Sequence, residues 1–265
     1  MKFGKDDSAP PVDATGNMTL FEHLAELRNR LMKIVLAVII GTIIGYVFYI
    51  RIKNAMEKPY IDLCDSGQIS CLEANGKPGT INLDPLGGFA VRLRVSGYIG
   101  ILLAFPVILW QLWRFIAPGL LDKEKKYAAP FMIASILLFV AGAYTAWWTF
   151  PKALEWLVDT GGTTAAFDVS KYLGFIALLM IGYGIGFEFP VILVTLQLIG
   201  IVTPQQLAKS RRGALVGVVI IAAVVTPGGD PFSMLGLALP LIAFYEISLI
   251  IGRLAARRKR RTAVT

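Results

Sequence analysis

Five stretches of this chain run for 18 to 31 residues with at most one charged side chain each: Leu31–Ile50, Ser96–Trp113, Ala128–Phe150, Tyr172–Val202 and Ser233–Gly252. No other feature limits the fold so sharply. A helix of about 20 apolar residues rises about 30 Å, the thickness of a bilayer's hydrocarbon core. Within hydrocarbon, each backbone N–H and C=O needs a partner from the chain itself, and a helix supplies all of them locally. Composition agrees: 55% of the 265 residues are apolar, only 17% are charged, and mean hydropathy is +0.64. A soluble core of this size cannot hide that much apolar surface. An ordinary soluble enzyme, a disordered chain and a disulfide-rich mini-protein are excluded.

A sixth run, Gly213–Val225, has only 13 residues. Runs of 10–14 also suit buried or re-entrant segments. Charge decides for a crossing. With six crossings and a cytoplasmic N-terminus, eighteen of the 26 lysines and arginines fall on the inside, as the positive-inside rule requires. Without the sixth run's crossing, the basic cluster Arg257–Arg261 would lie outside. The expected fold is therefore all-α, a polytopic membrane protein with six transmembrane helices. Both termini are cytoplasmic, in the cell (inner) membrane, and the last two spans form a short hairpin. Residues 1–17 are expected as a disordered cytoplasmic tail, 18–253 as one membrane domain, and 254–265 as a basic cytoplasmic tail. Outer connections are expected at Arg51–Val95, Lys152–Lys171 and Thr226–Phe232. The first holds both cysteines, Cys64 and Cys71, where an oxidising compartment permits a disulfide or two free thiols.

Familiar catalytic patterns are missing. The sequence has one histidine, His23, and no GxxxxGK[ST], HExxH or CxxC. No cofactor or metal is expected, and the basic charge reads as topology rather than nucleic-acid binding.

A few residues stand out. Met18–Leu31 carries Thr19 and Glu22 in capping-box spacing and an apolar stripe at Leu20, Leu24, Leu27 and Leu31. This predicts an amphipathic helix along the inner surface leading into the first span. Its Glu26 sits four residues before Arg30, which is ion-pair spacing. In Gln111–Lys126, Pro118-Gly119 marks a turn and Asp122 can cap the third span, with Glu124 in its first turn. Glu188 lies mid-span in GIGFEFPV, where an ionisable group is costly and functional by default. Pro190 invites a kink there. The structural alternative is a protonated acid bonded to a freed carbonyl. The same argument reaches Glu246, with a position nearer the inner surface as the alternative. Asp230, in TPGGDPF, has the position of a cap for the last span.

Taken together, FEHLAELRNRL (Phe21–Leu31), FPVILWQLWRFIAPGL (Phe105–Leu120), DKEKK (Asp122–Lys126), GFEFP (Gly186–Pro190) and TPGGDPF (Thr226–Phe232) resemble the TatC family, in family order. The family is the polytopic core of the twin-arginine protein translocase. The resemblance covers about Met18 to Arg253. It implies a receptor without enzymatic activity that binds Tat signal peptides at the cytoplasmic face. It also implies self-association, recruitment of single-span TatA- and TatB-type subunits, and export of folded cargo driven by the proton gradient.

By the same resemblance, Glu26 and Glu124 correspond to the twin-arginine site. Phe115, Pro118 and Arg28 match other recognition-region positions, and Glu188 matches the intramembrane glutamate. Asp230 matches the outer-turn aspartate, and Pro59 the proline after the first span. The chain departs from the family at Met234 and Leu235, where relatives commonly carry polar residues of a proposed partner-docking cluster, and its first outer loop is longer. The competing reading is a proton-coupled small-solute transporter with Glu188 as proton carrier, but no symmetric pair of broken spans supports it.

Overall fold

A computed structural model of the chain describes residues 20–67, 73–74, 77–78, 87–116, 128–161, 168–226 and 230–262. Pro118, Glu124 and Cys71, with the N-terminal tail, lie outside the described residues. The order is α1 (Leu20–Val47), α2 (Tyr49–Asp65), β1 (Glu73–Ala74), β2 (Lys77–Pro78), α3 (Gly87–Ile116) and α4 (Ala128–Gly161). Then come α5 (Val169–Gly186), α6 (Phe189–Ile199), α7 (Pro204–Lys209), α8 (Arg211–Val225) and α9 (Pro231–Thr262). Among the described residues the two short strands form one antiparallel ladder, and the rest of the regular structure is helical.

Among the described residues, five helical segments are long and apolar enough to cross a membrane: Leu24–Val47, Gly87–Phe115, Ala129–Thr160, Ser170–Ile199 and Pro231–Ala255. The short run forms α8, 15 residues or about 22 Å at 1.5 Å per residue. It is shorter than the other five.

The amphipathic N-terminal segment runs without a break into the first span as helix α1. Two expectations are corrected. The presumed outer connection from Arg51 is helical as far as Asp65, because α2 buries Tyr49, Met56, Glu57, Pro59, Tyr60 and Leu63 against its neighbours. The third span does not stop at Pro151. Helix α4 carries that proline inside and continues to Gly161. A proline removes one donor, and packing of the next turns (Ala153 and Leu154 are buried) holds the helix through it.

Helices α1 and α3 run in opposite directions. Arg30, near the start of α1, meets Gln111, near the end of α3, while Arg92 at the start of α3 meets Tyr46 at the end of α1. These two helices approach closely because small residues face each other. A Cβ at Gly41 would stand 2.7 Å from the Gly100 carbonyl oxygen, and one at Gly45 3.0 Å from that of Ser96.

The end of α8 and the first turns of α9 pack part-way along α5 and α4. A Cβ at Gly182 would meet Val225 Cγ1 at 2.5 Å, and one at Gly236 would meet Thr149 Cγ2 at 2.7 Å. Beyond Thr149, α4 continues twelve residues to Gly161, whereas α9 runs five residues from Gly236 back to Pro231, so α4 extends about 10 Å past the start of α9. The larger apolar core (Tyr60, Val95, Phe150, Leu173, Ile176) lies between α2, the start of α3, the end of α4 and α5. The ends of the helices that carry Glu26 and Phe115 are held by smaller clusters and polar contacts.

Candidate functional site

Two groups of predicted residues fall into one region, around the start of α1 and the end of α3. Glu26 ion-pairs with Arg30 one turn on, and their side chains are 26% and 13% exposed. Arg30 also donates to the Gln111 main-chain carbonyl at 3.3 Å, and its guanidinium stands 6.0 Å from the centre of the Phe115 ring. Its Nε is buried with no hydrogen-bond partner. Arg30 thus joins Glu26 to Phe115, two residues that the sequence places 89 positions apart. Arg28 is exposed. The local logic is simple. Residues 26 and 30 share a helix face, and the glycine contacts of α1 with α3 bring that face against the last turns of α3.

A second group lies deeper. The helix of the fourth apolar run breaks at Phe187 and Glu188, between α5 and α6. Pro190 has no N–H to give, so the ladder cannot run straight through. The predicted kink is present. Glu188 is 7% exposed and lies close to Ser135 of α4. Ser135 in turn accepts the indole N–H of Trp113 at 3.4 Å. Glu188 Oε1 is buried and has no partner. Trp113 is two residues from Gln111, so α3 touches the Glu26–Arg30 pair and the Glu188 environment within a single turn.

Glu246 pairs with Arg211, the first residue of α8, at 2.6 Å, and the two side chains are 35% and 57% exposed. Nearby, the Tyr245 hydroxyl donates to the Leu207 carbonyl at 2.6 Å, and Gln197 Nε2 to that of Ser248 at 3.1 Å.

Asp230 is fully buried and accepts the Ser233 N–H at 2.6 Å, capping α9. Its other carboxylate oxygen is buried without a partner, as are the hydroxyls of Thr226 and Ser233. Tyr183 donates to the Ser233 carbonyl.

Pro59 lies in α2, in a cluster at the far end of α1. There Arg92 donates to the Tyr46 carbonyl at 2.9 Å and stands 4.0 Å from the centre of the Tyr46 ring. Glu57 pairs with Lys53 at 2.6 Å. Burial, reinforced by the Glu57 carboxylate, raises the Tyr60 phenol above its ordinary pKa. Cys64 is disulfide-bonded, and the sequence holds one other cysteine, Cys71.

Sequence reasoning singled out Glu26, Phe115 and Glu188. It missed the contacts that Arg30 makes to Gln111 and Phe115, and the Ser135–Trp113 pair. Spacing signals the Glu26–Arg30 pair, whereas contacts between helices leave no mark in one sequence.

Known proteins add an independent observation. The family pattern described as "TatC: Sec-independent protein translocase protein (TatC)" matches residues 22–240. A protein of that name from Aquifex aeolicus is 36% identical over 248 residues, covering 92% of this chain and 98% of the relative. One from Frankia casuarinae is 37% identical over 251 residues, covering 94% of this chain and 69% of the relative. A solved structure entitled "Crystal Structure of Twin Arginine Translocase Receptor- TatC" superposes with a TM-score of 0.72 at 34% identity, covering 89% of this chain and all of that one.

Proposed function

The chain belongs to the TatC family of Sec-independent protein translocase proteins, and from that membership we propose that it is the receptor and core subunit of a twin-arginine translocase. The observation that carries the reading is the meeting of Glu26, Arg30 and Phe115 at one end of α1 and α3. A carboxylate beside an aromatic ring, already holding a guanidinium, is chemistry suited to an arginine ligand. The planar fork of arginine donates two parallel hydrogen bonds to a carboxylate, and its flat face stacks on rings. Lysine offers a single point-like ammonium and substitutes poorly. Glu124 supplies the second carboxylate for the second arginine, Pro118 belongs to the same recognition region, and Phe115 packs against the apolar part of the signal. A shielded hydrogen bond to a charged group contributes about 1.5–3 kcal/mol and an exposed pair about 0.2–1 kcal/mol. Two such contacts discriminate a paired signal without very tight binding.

In this reading α8 crosses as the fifth of six spans, and both termini are cytoplasmic, as the basic residues favour. The recognition end of α1 then faces the cytoplasm of the inner membrane. Single-span TatA- and TatB-type subunits and further copies of the chain join it to pass folded cargo, using the proton gradient. Glu188 acts inside the membrane after recognition.

The test is site-specific photo-crosslinking with an Arg-Arg signal peptide, in membranes with and without partner subunits. Probes go along 20–31 and 111–126. Crosslinks concentrated at positions flanking Glu26 and Phe115, and lost with a Lys-Lys peptide, are expected. Equal yields from probes at the Cys64 end of the bundle would overturn the reading.

A further inference from the structure

We propose that Arg30 is a built-in occupant of the arginine-binding site, which an incoming signal peptide must displace from Glu26. The inference rests on the reading of Glu26 as a signal-peptide contact, and it adds how that contact is held when no peptide is present.

Arg30 carries the same chemical group as the ligand. It already engages three features a ligand guanidinium seeks: the Glu26 carboxylate, the Gln111 carbonyl at 3.3 Å, and the Phe115 ring at 6.0 Å. Arg28, two residues earlier on the same helix, is exposed, so the occupancy belongs to Arg30 rather than to the basic segment as a whole. The fit is incomplete. Arg30 Nε is buried with no acceptor, so the guanidinium gives up part of its hydration without full return. An occupant held in this way keeps a buried-side carboxylate from standing unpaired, and it still yields to a better-fitting guanidinium.

Competition of this kind has an arithmetic signature. If Glu26 is free of Arg30 for only a fraction of the time, the apparent dissociation constant is the intrinsic one divided by that fraction. Removing the occupant should then tighten binding, whereas removing a residue that merely positions Glu26 should weaken it. The gain must also depend on Glu26, since without that carboxylate there is nothing to compete for.

The experiment uses the full chain in lipid nanodiscs and a fluorescent Arg-Arg signal peptide, titrated to equilibrium. The variants are Arg30→Gln, Arg30→Lys, Glu26→Gln, and Arg30→Gln with Glu26→Gln. Arg30→Gln should lower the dissociation constant about threefold to tenfold, as expected if Glu26 is open for about a tenth to a third of the time. Arg30→Lys, which keeps the charge and most of the packing, should fall between it and the native chain. The gain should vanish in the Glu26→Gln background. If Glu26→Gln weakens binding while Arg30→Gln and Arg30→Lys leave it unchanged or weaker, the occupant idea is wrong and the Glu26 reading stands. If Glu26→Gln itself has no effect, both fall.

Discussion

Arg30 of α1 donates to the main-chain carbonyl of Gln111 in α3 at 3.3 Å, across 81 residues of sequence. That bond ties the face carrying Glu26 to the turn carrying Phe115. It converts two motifs, each readable alone as ordinary helix chemistry, into one site. The same turn of α3 carries Trp113, which reaches Glu188 through Ser135. The Arg30–Gln111 and Trp113–Ser135 contacts therefore fall within one turn of α3.

Glu188→Gln should reduce export of a twin-arginine reporter several-fold while leaving peptide crosslinking at the α1–α3 end intact. The amide is nearly isosteric, so the fold should hold. Only the capacity to carry a charge or a proton is lost. Export equal to the native chain would show that Glu188 is a structural acid bonded at a helix break.

Glu246→Gln should do little, in contrast. Its pair with Arg211 is more than a third exposed on both sides, and such pairs contribute about 0.2–1 kcal/mol at most. Export near the native level and a nearly unchanged melting temperature are expected. A large loss would return Glu246 to the list of functional acids.

Gly41→Ala and Gly100→Ala should each destabilise the α1–α3 contact. The new methyl would face backbone, 2.7 Å from the Gly100 carbonyl oxygen in one case and 2.7 Å from the Thr42 nitrogen in the other. Overpacking of this kind costs about 1–3 kcal/mol. Unfolding in denaturing detergent measures it. The same variants should lower signal-peptide crosslinking, because separating the helices breaks the Arg30–Gln111 contact.

Four leucines added to the middle of α8 should impair export without affecting peptide binding. The 15-residue helix is about 22 Å long, against about 30 Å of hydrocarbon, and short spans favour local thinning of the bilayer. If thinning beside the hairpin lowers the barrier to cargo, lengthening it restores the barrier. Unchanged export speed would remove this mechanism.

The apolar runs made the five long spans legible, because span length follows directly from bilayer thickness. The kink at Glu188 was legible from Pro190. What escaped was structure set by packing. Helix α2 has too many charges to read as buried, yet its Pro59–Tyr60 face is covered by neighbouring helices. Helix α4 passes a proline that usually ends a run. The sequence gives no sign that Arg211 stands across from Glu246. At the site, spacing revealed the Glu26–Arg30 pair, but the meeting with Gln111 and Phe115 depends on how α1 lies against α3.

The central claim is that an arginine pair is read by Glu26 together with Glu124. The most direct measurement is photo-crosslinking of an Arg-Arg signal peptide to a chain carrying Glu26→Lys and Glu124→Lys, in native membranes, with export followed in parallel. The account predicts that crosslinks at the α1–α3 end and export are both lost, while the chain still inserts and resists proteolysis as the native one does. Crosslinking and export that persist after both charges are reversed would contradict it.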